Sequence, residues 1–267
     1  MTDSPLLVGI VNVTSDSFSD GGRYLAPDAA LAHARQLVAD GAHVVELGPA
    51  SSNPDAMPVE PAEEIRRLEP LLAPLVAEGV AVSIDSWRPE TQRWAAAHGA
   101  AYLNDIQGFP DEGVYGALAA ARCRLVVMHS VQRVGPATRT STDAEAVVRG
   151  AYAFFAERLP RLEAAGIGRD RLIIDPGMGF FLGSDPAPSV RMLRELPHLR
   201  KTLGLPAMLS VSRKSFLGVL SGRPIGARGA ATLAAELYAA RRGVEYLRTH
   251  DVAALSDALA VQAALTS

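Results

Sequence analysis

The run Leu6-Leu7-Val8-Gly9-Ile10-Val11 is followed at once by Asn12. An apolar run with no polar alternate reads as a strand covered on both faces, as in a parallel α/β sheet. A polar residue at the carboxyl end of such a strand stands where α/β proteins keep their chemistry. The same unit recurs at residues 43–47, 81–85, 101–104, 125–129, 171–174, 207–211 and 245–248, which makes eight strands.

Helical patterns fill the intervals. Pro27 suits a first helical position, and Gly41 follows Leu31, Ala34 and Val38 as a stop. Pro61 opens a helix with Ile65, Leu68, Leu72 and Leu75 as its buried stripe, and Pro70 and Pro74 are expected to kink or shorten it. Ser86 is expected to cap a helix with Pro89 in its first turn and Gly99 at its end. Thr142-x-x-Glu145 reads as a capping box before a long helix ending near Gly166, and helices over 228–242 and 252–265 close the chain. Eight alternations in 267 residues leave about 33 residues per unit, close to the roughly 30 that a βαβ unit needs. The expectation is one (β/α)8 TIM barrel, α/β in class, spanning residues 1–267 as a single domain. An open doubly wound sheet is the alternative. It would want a glycine-rich dinucleotide turn directly after an early strand, and Gly21-Gly22 lies ten residues too far on.

Composition narrows the function. With 26 basic against 29 acidic residues, the net charge of −3 argues against a nucleic-acid partner. The one cysteine, Cys123, can form no internal disulfide, and no Cys/His spacing points to zinc. No apolar run approaches the roughly 18 residues of a membrane span, and the N-terminal run lacks the basic start and cleavage site of a signal peptide. A soluble cytoplasmic protein is expected, with neither membrane nor nucleic acid as partner.

The strand ends carry Asn12, Gly48-Pro49-Ala50-Ser51-Ser52-Asn53-Pro54, Asp85, Asn104-Asp105, Met128-His129, Asp175-Pro176-Gly177, Ser212-Arg213-Lys214 and Arg248-Thr249-His250. Taken singly, these are common turn formers and caps, and Asp175-Pro176-Gly177 alone reads as a turn. Together they put carboxylates, carboxamides, a lysine, an arginine and histidines on one rim. That set suits a flat, amidine-like heterocycle: a carboxylate accepts two N–H bonds, an Asn both donates and accepts, and a guanidinium stacks on a ring face. Ser212-Arg213-Lys214-Ser215 begins a short helix, and with Arg248 and His250 it forms an expected anion site. Cys123, Trp87, Trp94, Phe154 and Phe155 read as packing, and His33, His43, His98 and His198 as surface residues.

These residues resemble the dihydropteroate synthase family over essentially the whole chain. The likeness rests on Gly9-Ile10-Val11-Asn12-Val13-Thr14-x-Asp16-Ser17-Phe18-Ser19-Asp20-Gly21-Gly22, Ser83-Ile84-Asp85-Ser86 and Asn104-Asp105-Ile106. It continues through Asp175-Pro176-Gly177-Met178-Gly179-Phe180, Ser212-Arg213-Lys214 and Arg248-Thr249-His250. The resemblance implies an alkyl transferase that joins 6-hydroxymethyl-7,8-dihydropterin pyrophosphate to p-aminobenzoate in folate biosynthesis. It implies Mg2+ as cofactor and a homodimer. By matching position, Asp85, Asn104, Met128, Asp175, Lys214 and Arg248 would bind the pterin, with Asp85, Lys214 and Arg248 catalytic. Asn12 would hold the metal and, with Ser212, Arg248 and His250, the pyrophosphate. Phe18, Ser52, Asn53, Phe180, Phe181 and Ser215 would enclose p-aminobenzoate.

Two departures stand out. The family's second loop usually reads Gly-Gly-Glu-Ser-Thr-Arg-Pro; here Ser52 keeps the hydroxyl of the Thr, and Asn53 replaces the Arg. Where the family has Gly-Lys after Gly-Phe, this chain has Phe181-Leu182-Gly183. Both departures resemble the sulfonamide-insensitive branch, and added aromatic bulk at Phe180-Phe181 implies exclusion of the longer drug. Two rival functions remain at this point: a methyltetrahydrofolate-binding methyltransferase domain and a non-catalytic pterin-binding module.

Overall fold

The computed structural model describes residues 4–14 and 26–266. Its strands are β1 (Leu6–Asn12), β2 (Val44–Gly48), β3 (Val82–Asp85), β4 (Tyr102–Asp105), β5 (Arg124–Met128), β6 (Leu172–Asp175), β7 (Met208–Leu209) and β8 (Tyr246–Thr249). All neighbours pair in parallel, in the order β6-β5-β4-β3-β2-β1-β8-β7. A parallel bridge from Ile174 to Ala207 joins β6 to the start of β7 and closes the ring, so the open-sheet alternative falls. The helices are α1 (Pro27–Ala39), α2 (Pro61–Ala77), α3 (Pro89–Ala97), α4 (Tyr115–Ala120), α5 (Ala144–Ala164), α6 (Pro186–Leu203), α7 (Ser215–Ser221), α8 (Gly229–Ala240) and α9 (Val252–Thr266). Among the described residues, no helix is long and apolar enough to cross a membrane.

Successive side chains of a strand point to opposite faces, so the barrel has two cores. The outer one lies between strands and helices and holds Leu68, Leu72 and Leu75 of α2, Phe154 and Phe155 of α5 and Leu196 and Leu199 of α6. Inside the barrel, Val8, Val44, Val126, Ile173, Met208 and Tyr246 form an apolar plug. Two residues further along the same strands stand Ile10, Glu46, Met128, Asp175, Ser210 and Arg248. The pleat therefore places a polar layer directly on the plug, at the carboxyl end of the barrel.

Several local expectations need correction. α2 runs through both prolines for 17 residues. Four buried leucines, Leu68, Leu71, Leu72 and Leu75, flank the breaks, and at about 1.5–3 kcal/mol each they outweigh about 3 kcal/mol per proline. Ile65 is only partly buried, and Glu64 takes the inner position, receiving the Ser86 hydroxyl at 2.6 Å. Ser86 does not cap α3, because its Oγ accepts instead from Arg88 N at 3.1 Å, one residue before the helix. The cap of α5 is Asp143, which accepts from Ala146 N at 2.7 Å; Thr142 donates its hydroxyl to the Leu182 carbonyl instead. β7 is shorter than residues 207–211 because the chain turns away, with Lys214 N donating to the Val211 carbonyl at 3.1 Å.

Candidate active site

Glu46 sits at the centre of the polar layer with no exposure to solvent. Its Oε1 receives Arg248 Nε in a short ion pair. Its Oε2 accepts from Ser83 Oγ at 3.0 Å and from Asn104 Nδ2 at 3.2 Å. Arg248 then reaches Asp85 Oδ2 through Nη2 at 3.0 Å and Ser210 Oγ through Nη1 at 3.4 Å. The oxygen of Asn104 is buried with no partner.

Asp175 faces Met128 across the β5–β6 register and accepts from Gly177 N at 2.7 Å. Gly177 has φ +75°, and a Cβ there would stand 2.3 Å from the His129 carbonyl oxygen, so only glycine fits. Asp175-Pro176-Gly177 is thus both a turn and a site element, since the turn holds the carboxylate. Asp105 has a different task. It accepts from Gln107 N at 2.7 Å, Gln92 Nε2 at 2.8 Å and Phe109 N at 3.0 Å, which shapes the loop after β4.

Above this layer opens a cavity of about 200 Å³. Asp85 and Arg248 reach it from below. Asn12, Ser52, Asn53, Phe180, Phe181, Ser212, Lys214, Ser215 and His250 line its walls. Asn104, Met128 and Asp175 lie beneath, almost wholly buried. Phe18 falls outside the described residues, as does the segment 15–25 that contains it. Phe181 is buried against Ile106, Met128 and Ala137, and its ring carries Lys214 Nζ at 4.8 Å from its centroid. Phe180 is half-buried at the mouth, with the Arg139 guanidinium 5.6 Å from its ring.

The mouth is cationic. Arg213, part of the expected anion site, lines it together with Arg228, which did not stand out in the sequence. Arg213 has φ +58°, an uncommon conformation for a residue with a Cβ, and its N–H donates to Thr232 Oγ1 at 3.0 Å. Arg228 Nη1 holds this turn from outside, donating to the Arg213 carbonyl at 2.9 Å and the Lys214 carbonyl at 3.3 Å. Ser212 Oγ accepts from His250 N at 3.2 Å and lies 2.9 Å from His250 Nδ1. The Ser215 hydroxyl is buried with no protein partner.

Burial and crowding retune these groups. Burial, then the Glu46 charge, pushes Asp85 up to about 7 against the pull of Arg248 and Lys214. Burial raises Asp175 to about 6 despite its bond from Gly177 N. Lys214 falls to about 8 through burial and the neighbouring Arg248, although Asp175, Asp85 and Glu46 support its charge. His250 is held well below its usual range by burial and by Arg213, Arg248 and Lys214, so it is neutral at pH 7. The layer can thus offer carboxylates to N–H donors and to a developing cation, under a mouth that favours anions.

Glu46 is the main residue missed from the strand-end pattern, because it lies inside its strand. A carboxylate within Val44-Val45-Glu46-Leu47 was the available signal. For a metal, the carboxamide oxygen of Asn12 is a hard ligand at the mouth. Among the described residues no group of three His, Cys, Asp or Glu could hold an ion alone. A single hard oxygen beside an anion-binding mouth is a donor set that Mg2+ could use, since that ion commonly takes one or two protein oxygens and completes its shell from phosphates and water.

The chain matches the family of pterin binding enzymes over residues 8–250. Dihydropteroate synthase type-2 of Escherichia coli is 56% identical over 265 residues, covering 99% of this chain and 97% of that protein. Dihydropteroate synthase type-3 of Escherichia coli is 50% identical, covering 97% and 98%. Among solved structures, dihydropteroate synthase of Xanthomonas albilineans with 4-aminobenzoic acid has a TM-score of 0.89 at 41% identity, covering 100% of this chain and 94% of that one. Identity at this level, over nearly all of both chains and on the same barrel, means that this chain belongs to the dihydropteroate synthase family of pterin-binding enzymes.

Proposed function

We infer that this enzyme condenses 6-hydroxymethyl-7,8-dihydropterin pyrophosphate with p-aminobenzoate, forming 7,8-dihydropteroate and pyrophosphate in folate biosynthesis. The observation that carries the residue assignment is the polar layer around Glu46, with an unpartnered Asn104 oxygen beneath a cationic mouth. Asp175 and Asn104 accept N–H bonds from the pterin edge, and Asp85 takes a further ring nitrogen. Met128 packs beneath the ring. Lys214 reaches N5 and the 4-oxo group. Arg248, tied edgewise to Glu46 and Asp85, has a guanidinium face left for stacking on the ring.

The chemistry is a displacement that needs no protein nucleophile. The C–O bond to pyrophosphate breaks, its electron pair leaves with the phosphate oxygen, and positive charge spreads from the methylene into the pterin. The aniline nitrogen of p-aminobenzoate then bonds to the methylene and loses a proton. Asp85 and Asp175 stabilise the cation. Arg248 donates to the departing phosphates, together with whichever of Ser212 and the neutral His250 keeps its proton outside their mutual hydrogen bond. Asn12 would hold Mg2+ through its carboxamide oxygen, and the ion supplies neutralisation of the leaving group's charge. Ser52, Asn53, Phe180, Phe181 and the unpartnered Ser215 hydroxyl enclose p-aminobenzoate.

We further read the enzyme as sulfonamide-insensitive, by exclusion at the Phe180-Phe181 pair, in which Phe181 is the residue that departs from the family pattern. Dihydropteroate synthase of Yersinia pestis has been solved with a sulfonamide drug, at 30% identity and a TM-score of 0.90 to this chain. A homodimer and a cytoplasmic location belong to the same reading, and the exposed Val219 and Leu220 of α7 offer apolar surface for a second copy. The deciding experiment mixes both substrates with Mg2+ and measures pyrophosphate. Release that requires p-aminobenzoate supports the reading, and no release refutes it. A sulfonamide added at inhibitory concentration for ordinary family members should leave release largely intact.

A further inference from the structure

We propose that Glu46 is a positioning residue that sets the hydrogen-bonding polarity of the pterin slot through Asn104 and Arg248. The inference rests on the pterin reading above. Glu46 has both oxygens occupied: Oε1 by Arg248 Nε, and Oε2 by Ser83 Oγ at 3.0 Å and Asn104 Nδ2 at 3.2 Å. A carboxylate only accepts, so it holds the amide nitrogen of Asn104 and turns the amide oxygen the other way. That oxygen is buried and unpartnered. A buried acceptor left unmet is costly, so the slot favours a ring that brings an N–H to this point and rejects one that brings a lone pair. The same carboxylate fixes the edge of Arg248, and with it the plane of the guanidinium.

Glu46 also acts on the reactive end of the slot by charge. The charged groups acting on Asp85 include Glu46 of β2, Arg248 of β8, Lys214 before α7 and Asp105 of β4. Of these, Glu46 and Asp105 raise Asp85, and the two cations lower it. Neutralising Glu46 frees Arg248 for Asp85 and removes a repulsion, so Asp85 ionises at lower pH.

The test compares Glu46→Gln and Glu46→Asp with the unaltered enzyme. Pyrophosphate release by the unaltered enzyme checks the functional reading separately, since its absence would sink that reading before any variant is made. Given an active enzyme, Glu46→Gln should raise KM for the dihydropterin pyrophosphate about tenfold and leave KM for p-aminobenzoate within about twofold. Affinity for 6-hydroxymethylpterin, measured by calorimetry, should weaken by a similar factor. The acid limb of kcat/KM should move to lower pH. Glu46→Asp keeps the charge on a shorter arm, so it should raise the pterin KM with the acid limb in place. The proposal is overturned if Glu46→Gln keeps the pterin KM and the acid limb of the unaltered enzyme, or if both substrate KM values rise together. If Glu46→Gln does not fold, Glu46→Asp decides: an unchanged pterin KM overturns the proposal.

Discussion

The floor of the cavity and its mouth are built by different means. On the floor, Ser83, Asn104 and Arg248 all bond to Glu46 from barrel strands, Arg248 goes on to Asp85, Asp175 is held separately by Gly177 N, and the Asn104 oxygen is left over. At the mouth, Ser52 and Asn53 stand on a loop, Phe180 on a single 3-10 turn (Gly179–Phe181), and Arg213 and His250 on turns after short strands. A strand side chain is fixed by its ladder and by the plug below, so a change there disturbs several partners at once. A loop side chain answers to few neighbours. The floor therefore carries the chemistry, and the mouth can change its selectivity while the chemistry persists. Both departures from the family pattern line the cavity above the floor: Asn53 lies exposed at the mouth, and Phe181 is buried beside it against Ile106 and Met128.

The contrast breaks most sharply at Asp85. Asp85→Asn keeps the size of the side chain and an acceptor for Arg248, but removes the charge that faces the developing cation. Turnover should fall roughly hundred- to thousandfold, with a melting temperature within a few degrees of the unaltered enzyme. Steady-state pyrophosphate release and a thermal melt measure the two. Near-normal turnover would take Asp85 out of the mechanism and leave the floor a purely binding surface.

The pH profile is the next test. Asp85 must be ionised to act, so activity rises as pH passes about 7. Lys214 must be protonated to donate, so activity falls as pH passes about 8. Beyond either limb kcat/KM for the pterin substrate should change about tenfold per pH unit. His250, held neutral well below that range, should contribute no limb. A flat profile through both values would show that the floor groups titrate elsewhere and that their mutual crowding is weaker than their contacts indicate.

The same division governs what the sequence revealed. Strand ends were legible because an apolar run that stops on Asn12, Asp85 or Asp175 marks both the strand and the rim. Glu46 was hidden because it sits within its run, where only the pleat and the ring of eight strands show that it faces inward beside Arg248. Thr142 and Asp143 are both good caps, and the choice between them was made by a distant loop, through the bond from Thr142 to Leu182. At the mouth, Arg213 adopts a left-handed turn that no residue type signals, and Arg228 reaches the site from the start of α8 to hold it. Such positions depend on tertiary contacts rather than on local pattern, which is why Glu46 on the floor and Arg228 at the mouth were not legible while the strand ends were.

A smaller effect is expected at Phe180. Phe180→Ala opens the mouth while leaving Phe181 on Ile106 and Met128. Sulfonamide inhibition should strengthen roughly tenfold, with KM for p-aminobenzoate within about twofold. Phe181→Ala should also sensitise the enzyme, but should raise the pterin KM as well, because it unseats packing above Met128 and the support of Lys214. If inhibition stays as weak as before in both variants, exclusion by this pair is wrong.

The smallest effect, and the one that sharpens the comparison most, concerns Asn53. It lies exposed on a turn in which Asn53 N donates to Ser51 Oγ at 3.3 Å and Ala56 N donates to the Asn53 carbonyl at 3.0 Å. Asn53→Arg restores the cation usual in the family without asking anything of the floor. An exposed charge gains at most about 1 kcal/mol, so KM for p-aminobenzoate should fall about two- to fivefold at low ionic strength, with kcat unchanged. Screening across roughly 10 Å at 0.1 M salt and 3 Å at 1 M should erase the gain as salt is added. The floor pair Arg248–Glu46, shielded from solvent, should show no such salt dependence. A salt-resistant gain, or a change in kcat, would mean that position 53 couples to the buried layer, and the separation of mouth from floor would have to be redrawn.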